Sequence, residues 1–103
     1  MTADDDAATQ QFLVEWYRAQ LAAAPLRPTA ARLHAFAAQA VGNDNDVRLV
    51  LTLADPTDDV LYGVFAADNA DAVLRTCRAA GWPVDRITSG IRTYIASTPQ
   101  AHN

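Results

Sequence analysis

The sequence predicts an α+β domain, a four-stranded antiparallel sheet carrying two helices on one face. Three observations predict it. The chain has 103 residues, room for one hydrophobic core and not for two. Half of its residues are hydrophobic, which excludes wholesale disorder. Its apolar pattern alternates between period two and period 3.6 in the order strand, helix, strand, strand, helix, strand.

Each element has a local cause. Residues 1–11 are polar or small without periodicity, a mobile acidic tail. Phe12-Leu13-Val14-Glu15-Trp16-Tyr17 is rich in aromatic and branched residues and reads as the first strand. Arg18 to Pro28 holds two prolines and an alanine cluster, a connection. Pro28-Thr29 opens a helix with Ala30, Leu33, Ala37, Ala40 and Val41 at helical spacing, and Gly42 to Asp46 stops it.

Val47 to Leu53 forms the second strand. Asp55-Pro56-Thr57-Asp58-Asp59 is turn chemistry, and Val60 to Ala66 returns as the third. Asp68 or Asn69 caps a second helix that buries Ala70, Val73, Cys77 and Ala80. Gly81 ends it and Pro83 prevents its continuation. Ile87 to Ala96 is the last strand, followed by a loose polar tail, residues 97–103. The domain proper is therefore 12–96. This order of elements is that of the ferredoxin-like βαββαβ plait, with one sheet face left open.

Residue types that are missing exclude several chemistries. All eight basic residues are arginines, so there is no lysine for Schiff-base chemistry or a phosphate loop. Cys77 is the single cysteine, which excludes an intrachain disulfide and a cysteine-rich zinc site. His34 and His102 are the two histidines, so a protomer cannot supply three imidazoles to a metal. Asp4, Asp5 and Asp6 account for three of the four net negative charges. The nearly neutral remainder has no basic footprint for nucleic acid. No run of apolar residues is long enough to span a bilayer. The acidic start is unlike a secretory signal, so the expected location is the cytoplasm.

Strand alternation sorts the faces. Leu49, Leu51, Leu53, Ile87, Ile91 and Ile95 are expected on the helix side, with Phe12, Val14 and Trp16. Leu13, Glu15, Tyr17, Arg48, Val50, Thr52, Gly90, Arg92 and Tyr94 are then on the open face. The third strand is ambiguous, apolar on both sides. Leu13, Tyr17, Val50 and Tyr94 make the open face too hydrophobic to leave in water, and its economical cover is a second copy in a two-fold homodimer.

Glu15 is the one glutamate, in a strand otherwise apolar or aromatic, and a carboxylate there needs a partner. Arg92 on the neighbouring last strand is the expected one, with Arg48 further away. Glu15 is then a structural ion-pair partner, a general base or ligand anchor in the cleft, or a group reaching solvent at a strand end. His34 reads as a surface or groove residue and a weak metal candidate. Cys77 reads as a buried inert thiol, and Trp82 as packing over the end of the sheet. Asn43-Asp44-Asn45-Asp46 lacks the glycine and glutamate of a calcium loop and reads as a solvated turn. Asp55, Asp58 and Asp59 read as hairpin residues before metal ligands.

Phe12-Leu13-Val14-Glu15, Val60 to Ala67 and Ala79 to Ile87 resemble a bacterial family of unknown function. That family adopts the dimeric ferredoxin-like plait and includes a small nickel-binding protein. The resemblance covers most of Phe12 to Ile95, carried chiefly by Leu13-Val14-Glu15 and Ala80-Gly81-Trp82-Pro83. It implies the fold, the dimer and the strand carboxylate Glu15, and it brings in nickel by resemblance alone. Nickel favours imidazole, of which this chain has two, and Gly63 stands where family members often carry a cysteine.

Three functions compete on these residues. The first is a dimeric binding domain holding a small molecule, or a metal, on the open face. The second is an enzyme resembling cofactor-independent monooxygenases or small isomerases, with Glu15, Tyr17, Arg48, Arg92 and Tyr94 in its cleft. The third is a purely structural dimer.

Overall fold

The fold is that of a computed structural model, which describes residues 10–40 and 47–96. The acidic tail through residue 9, Val41 with the Gly42–Asp46 turn, and the tail from Ser97 with His102 lie outside the described residues. Four strands, β1 (Gln10–Trp16), β2 (Arg48–Asp55), β3 (Val60–Ala67) and β4 (Arg86–Thr88), form one antiparallel sheet in the order β2-β3-β1-β4. Three helices accompany it among the described residues: α1 (Ala19–Ala23), α2 (Leu26–Ala40) and α3 (Ala70–Ala79).

β1 behaves as its alternation dictates. Phe12, Val14 and Trp16 are buried, while Leu13 and Glu15 point the other way and are half-buried. It starts at Gln10, so Gln10 and Gln11, expected in the tail, belong to the sheet because they pair with Ala67 and Ala66. β3 is a central strand, buried on both sides, and its register settles the ambiguous facing. Gly63 lies opposite Val14 and Phe65 opposite Phe12, on the core face; Tyr62 and Val64 lie opposite Glu15 and Leu13, on the open face.

One core joins the sheet to the long helices. Phe12, Val14, Trp16, Leu61 and Phe65 from the strands meet Leu33 and Ala37 of α2 and Val73 and Cys77 of α3. Both helices therefore cover the same face. Fully burying each large apolar side chain contributes about 1.5–3 kcal/mol. Trp16 is the centre of an aromatic cluster: its ring meets Trp82 edge-on at 5.8 Å, and its Nε1–H donates to the Trp82 carbonyl at 2.9 Å. Trp82 packs in turn on Phe36, and Arg32 lies over the Trp82 ring at 5.3 Å.

The ends of α3 are capped locally. Asn69 Oδ1 accepts from the Ala72 N–H at 2.8 Å. At the other end Gly81 has φ +85, its N–H donates to Arg78 O, and the Trp82 N–H donates to Cys77 O. These two bonds satisfy the last carbonyls of the helix in the Schellman arrangement, which a left-handed glycine makes possible. Among the described residues no helix is long and apolar enough to cross a membrane.

The structure corrects three expectations. Arg18 to Pro28 is not a plain connection: it holds α1, and α2 begins at Leu26. Leu49, Leu51 and Leu53 do not share the helix side. A register shift between Leu49 and Leu51 turns the strand, so Leu49 packs on the core while Leu51 and Leu53 lie opposite Val64 and Tyr62 on the open face. Thr52, expected on the open face, now lies opposite Gly63 of the core face. The last strand does not run to Ala96. β4 is three residues long, Gly90 takes φ +73, and residues 91–96 have no regular structure. Ile87 packs on the core as expected, whereas Ile95 is exposed.

Candidate functional site

The open face consists of short rows that run across the sheet from β2 toward β4. Leu51, Val64, Leu13 and Thr88 form the middle row. Leu53, Tyr62, Glu15 and Arg86 form the row beside it, and Arg48, Ala66 and Gln11 the row on the other side. Val64 and Ala66 are buried at the centre, Leu13 and Leu51 are half-buried, and Leu53 at the β2 edge is 47% exposed. The face is thus a shallow apolar strip with its charge at two opposite corners.

One corner holds a polar cluster built by the β1–β4 ladder. Glu15 is directly opposite Arg86. Its side chain is only 15% exposed, and Arg86 Nε lies 3.8 Å from Oε2. The Tyr17 hydroxyl donates to Oε1 at 2.8 Å, reaching it because residues two apart on an extended chain share a side. The backbone holds this corner from below: the Asp85 N–H donates to Glu15 O, and the Tyr17 N–H donates to Asp85 Oδ2. The hydrogen bond to Glu15, then loss of hydration, then the nearby negative charge raise the Tyr17 phenol above its ordinary range, with Arg86 opposing.

Of the five cleft residues expected from sequence, the structure brings together Glu15 and Tyr17. Arg48 lies on the open face but two strands across and four residues along, about 16 Å away by sheet spacings. Arg92 is not the partner of Glu15. The antiparallel register sets Arg86 there, and the ladder ends before Gly90. Tyr94 stands out from the sheet, 89% exposed. Arg86, Tyr62 and Asp85 join the corner through strand pairing and the turn before β4, and nothing local in the sequence marks Arg86.

The other candidates fall elsewhere. His34 is exposed on α2, beside an open groove of about 780 Å³ between that helix and the β2 edge. Cys77 is buried, and burial pushes its thiol up to about 12, as an inert core thiol requires. Gly63 lies under the core: a Cβ there would come within 3.1 Å of Phe65 and 3.3 Å of Trp16. Gly63 thus faces the aromatic cluster and not the open face. Asp55 and Asp59 make the expected turn, Asp55 Oδ1 accepting from the Asp58 N–H. Among the described residues no group of three His, Cys, Asp or Glu side chains is placed to hold a metal ion.

No family model matches the chain, and no curated protein matches it significantly. Among solved structures it is similar to the crystal structure of SCO4226 from Streptomyces coelicolor A3(2), at 20% identity and a TM-score of 0.57. The match covers 84% of this chain and 99% of that one, and shows a shared fold.

Proposed function

We propose that the chain is a ferredoxin-like homodimer that binds a small molecule on its open sheet face, with Glu15 as the anchoring group. The strand order and the placement of both long helices on one face support the plait. The observation that carries the binding role is the corner itself: a carboxylate only 15% exposed, beside the apolar middle row, flanked by a phenol and a guanidinium. A carboxylate in such a place is costly unless its oxygens are used. Arg86, 65% exposed, sets its guanidinium beside it, so the corner offers an acceptor and donors side by side. Such a pair suits a compact ligand with both hydrogen-bonding characters and an apolar body lying toward Leu13 and Leu53. Half-buried Leu13 and Leu51 and exposed Leu53 support the dimer, because a second copy removes their remaining surface from water on both molecules. A cytoplasmic setting and a partner that is neither nucleic acid nor membrane belong to the same reading.

Native mass spectrometry of the tag-free protein tests it. A dimer with a reproducible extra mass, lost in Glu15→Gln while the dimer persists, is the expected result. A dimer that carries no mass, and whose Glu15→Gln variant differs only in melting temperature, would leave the face structural.

A further inference from the structure

We infer that residues 91–96 are an arm that reaches over the open face of a second copy of this chain, seating Tyr94 and Ile95 against its Leu53 edge. The inference rests on the dimer reading and adds the segment that makes the contact.

The arm is tied down at its root and largely exposed beyond it. The Ile91 N–H donates to Gln11 O at 3.3 Å, and Thr93 Oγ1 donates to Gln11 Oε1 at 2.7 Å. Gly90, at φ +73, turns the chain out of the ladder just before. Past Thr93, Tyr94 is 89% exposed and Ile95 62% exposed, two large apolar side chains in succession that leave most of their surface in water. On the open face Leu53, at the β2 edge, is 47% exposed, and Tyr17, at the Glu15 corner, is 51% exposed.

Within one chain these two features cannot meet. The arm leaves at the β4 edge, at the Gln11 end of the sheet; Leu53 lies at the β2 edge, at the Glu15 end. Three strand spacings across and about four residues along separate them by about 20 Å, while two residues beyond Thr93 reach about 7 Å. A two-fold axis resolves this. Laid in the plane of the face along the diagonal from Arg48 to Arg86, it passes through the apolar centre at Leu13 and Val64. It carries the arm corner of each copy over the Leu53 corner of the other, twice. Because the rows and the strands have nearly equal spans, this diagonal runs at about 45° to the strands. The two sheets then cross near a right angle, one of the two ways sheets pack face to face. Arg48 and Arg86 fall at the two ends of the axis, on the rim, with Glu15 beside the Arg86 end.

The test uses the full chain with Leu53→Cys and Ile95→Cys, singly and together, under mild oxidation. Cys77 is buried and stays out of the reaction. The double variant should give a covalent dimer on a non-reducing gel, well above the yield of either single variant. In native mass spectrometry, Tyr94→Ser with Ile95→Ser should raise the dimer dissociation constant by more than about tenfold, with the melting of the isolated protomer unchanged. If the wild type is a monomer at tens of micromolar, the dimer reading itself fails. If the wild type is a dimer, yet the double variant does not cross-link and the serine variant dimerises normally, the arm is overturned and the dimer stands.

Discussion

Arg86 stands opposite Glu15 across the β1–β4 ladder, its Nε 3.8 Å from Oε2, while the Tyr17 hydroxyl holds the other carboxylate oxygen at 2.8 Å. Three chemically different groups thus share one corner of the open sheet face. Their coupling is measurable without knowing any ligand.

The Tyr17 phenol should titrate above its ordinary range in the folded protein, since its proton is held by Glu15. Ultraviolet titration of the wild type minus Tyr17→Phe isolates it, and Glu15→Gln should bring it back down. The sign for stability follows. The unfolded phenol ionises first, near pH 10, so this contribution is complete below that pH and is lost as pH rises through the folded value. A Tyr17 titration unaffected by Glu15→Gln would remove the hydrogen bond from the account.

Gly63→Ala should destabilise the fold by about 1–3 kcal/mol, because its Cβ enters the contact between Trp16 and Phe65. The cost should shrink in a Trp16→Phe background, where the two nearest indole carbons are gone. A double-mutant cycle in urea reads the coupling. Equal cost in both backgrounds would mean that Trp16 does not set the space at Gly63.

Gly81→Ala meets no atom within 4 Å, so its cost is backbone strain alone. At φ +85 that is about 1–2 kcal/mol, with a fall in melting temperature of roughly 4–8 °C per kcal/mol for a domain of this size. Gly81→Asn should cost less than Gly81→Ala, because asparagine tolerates the left-handed region better. The reverse order would point to a side-chain clash instead.

Cys77 should react with a thiol reagent at pH 8 only as fast as the core opens, and at once in denaturant. Its proton is retained in the folded state up to about 12. Between pH 9 and that value the unfolded thiol ionises while the buried one does not, so stability falls with rising pH across this window. Cys77→Ala should flatten that slope. Fast labelling of the native protein would contradict the burial.

Much of this architecture is written in short stretches of chain. The alternation of Phe12, Val14 and Trp16, the cap at Asn69, the stop at Gly81 and the Asp55–Asp59 turn all depend on neighbours within a few residues. Local sterics and local hydrogen bonds decide such features, so composition and spacing suffice to read them, and Glu15 stood out for the same reason. What depends on pairing between distant segments was not legible. The register that gives Glu15 to Arg86 and not Arg92, and the shift that turns Leu51 and Leu53 outward, arise where separate strands meet. A one-residue displacement there exchanges the faces without altering any local preference. The same holds for β4, whose sequence favours a strand through Ala96 but whose ladder ends before Gly90. Periodicity and capping thus belong to the chain itself; partnership across the sheet belongs to the fold, because it is set by contacts that no single segment contains.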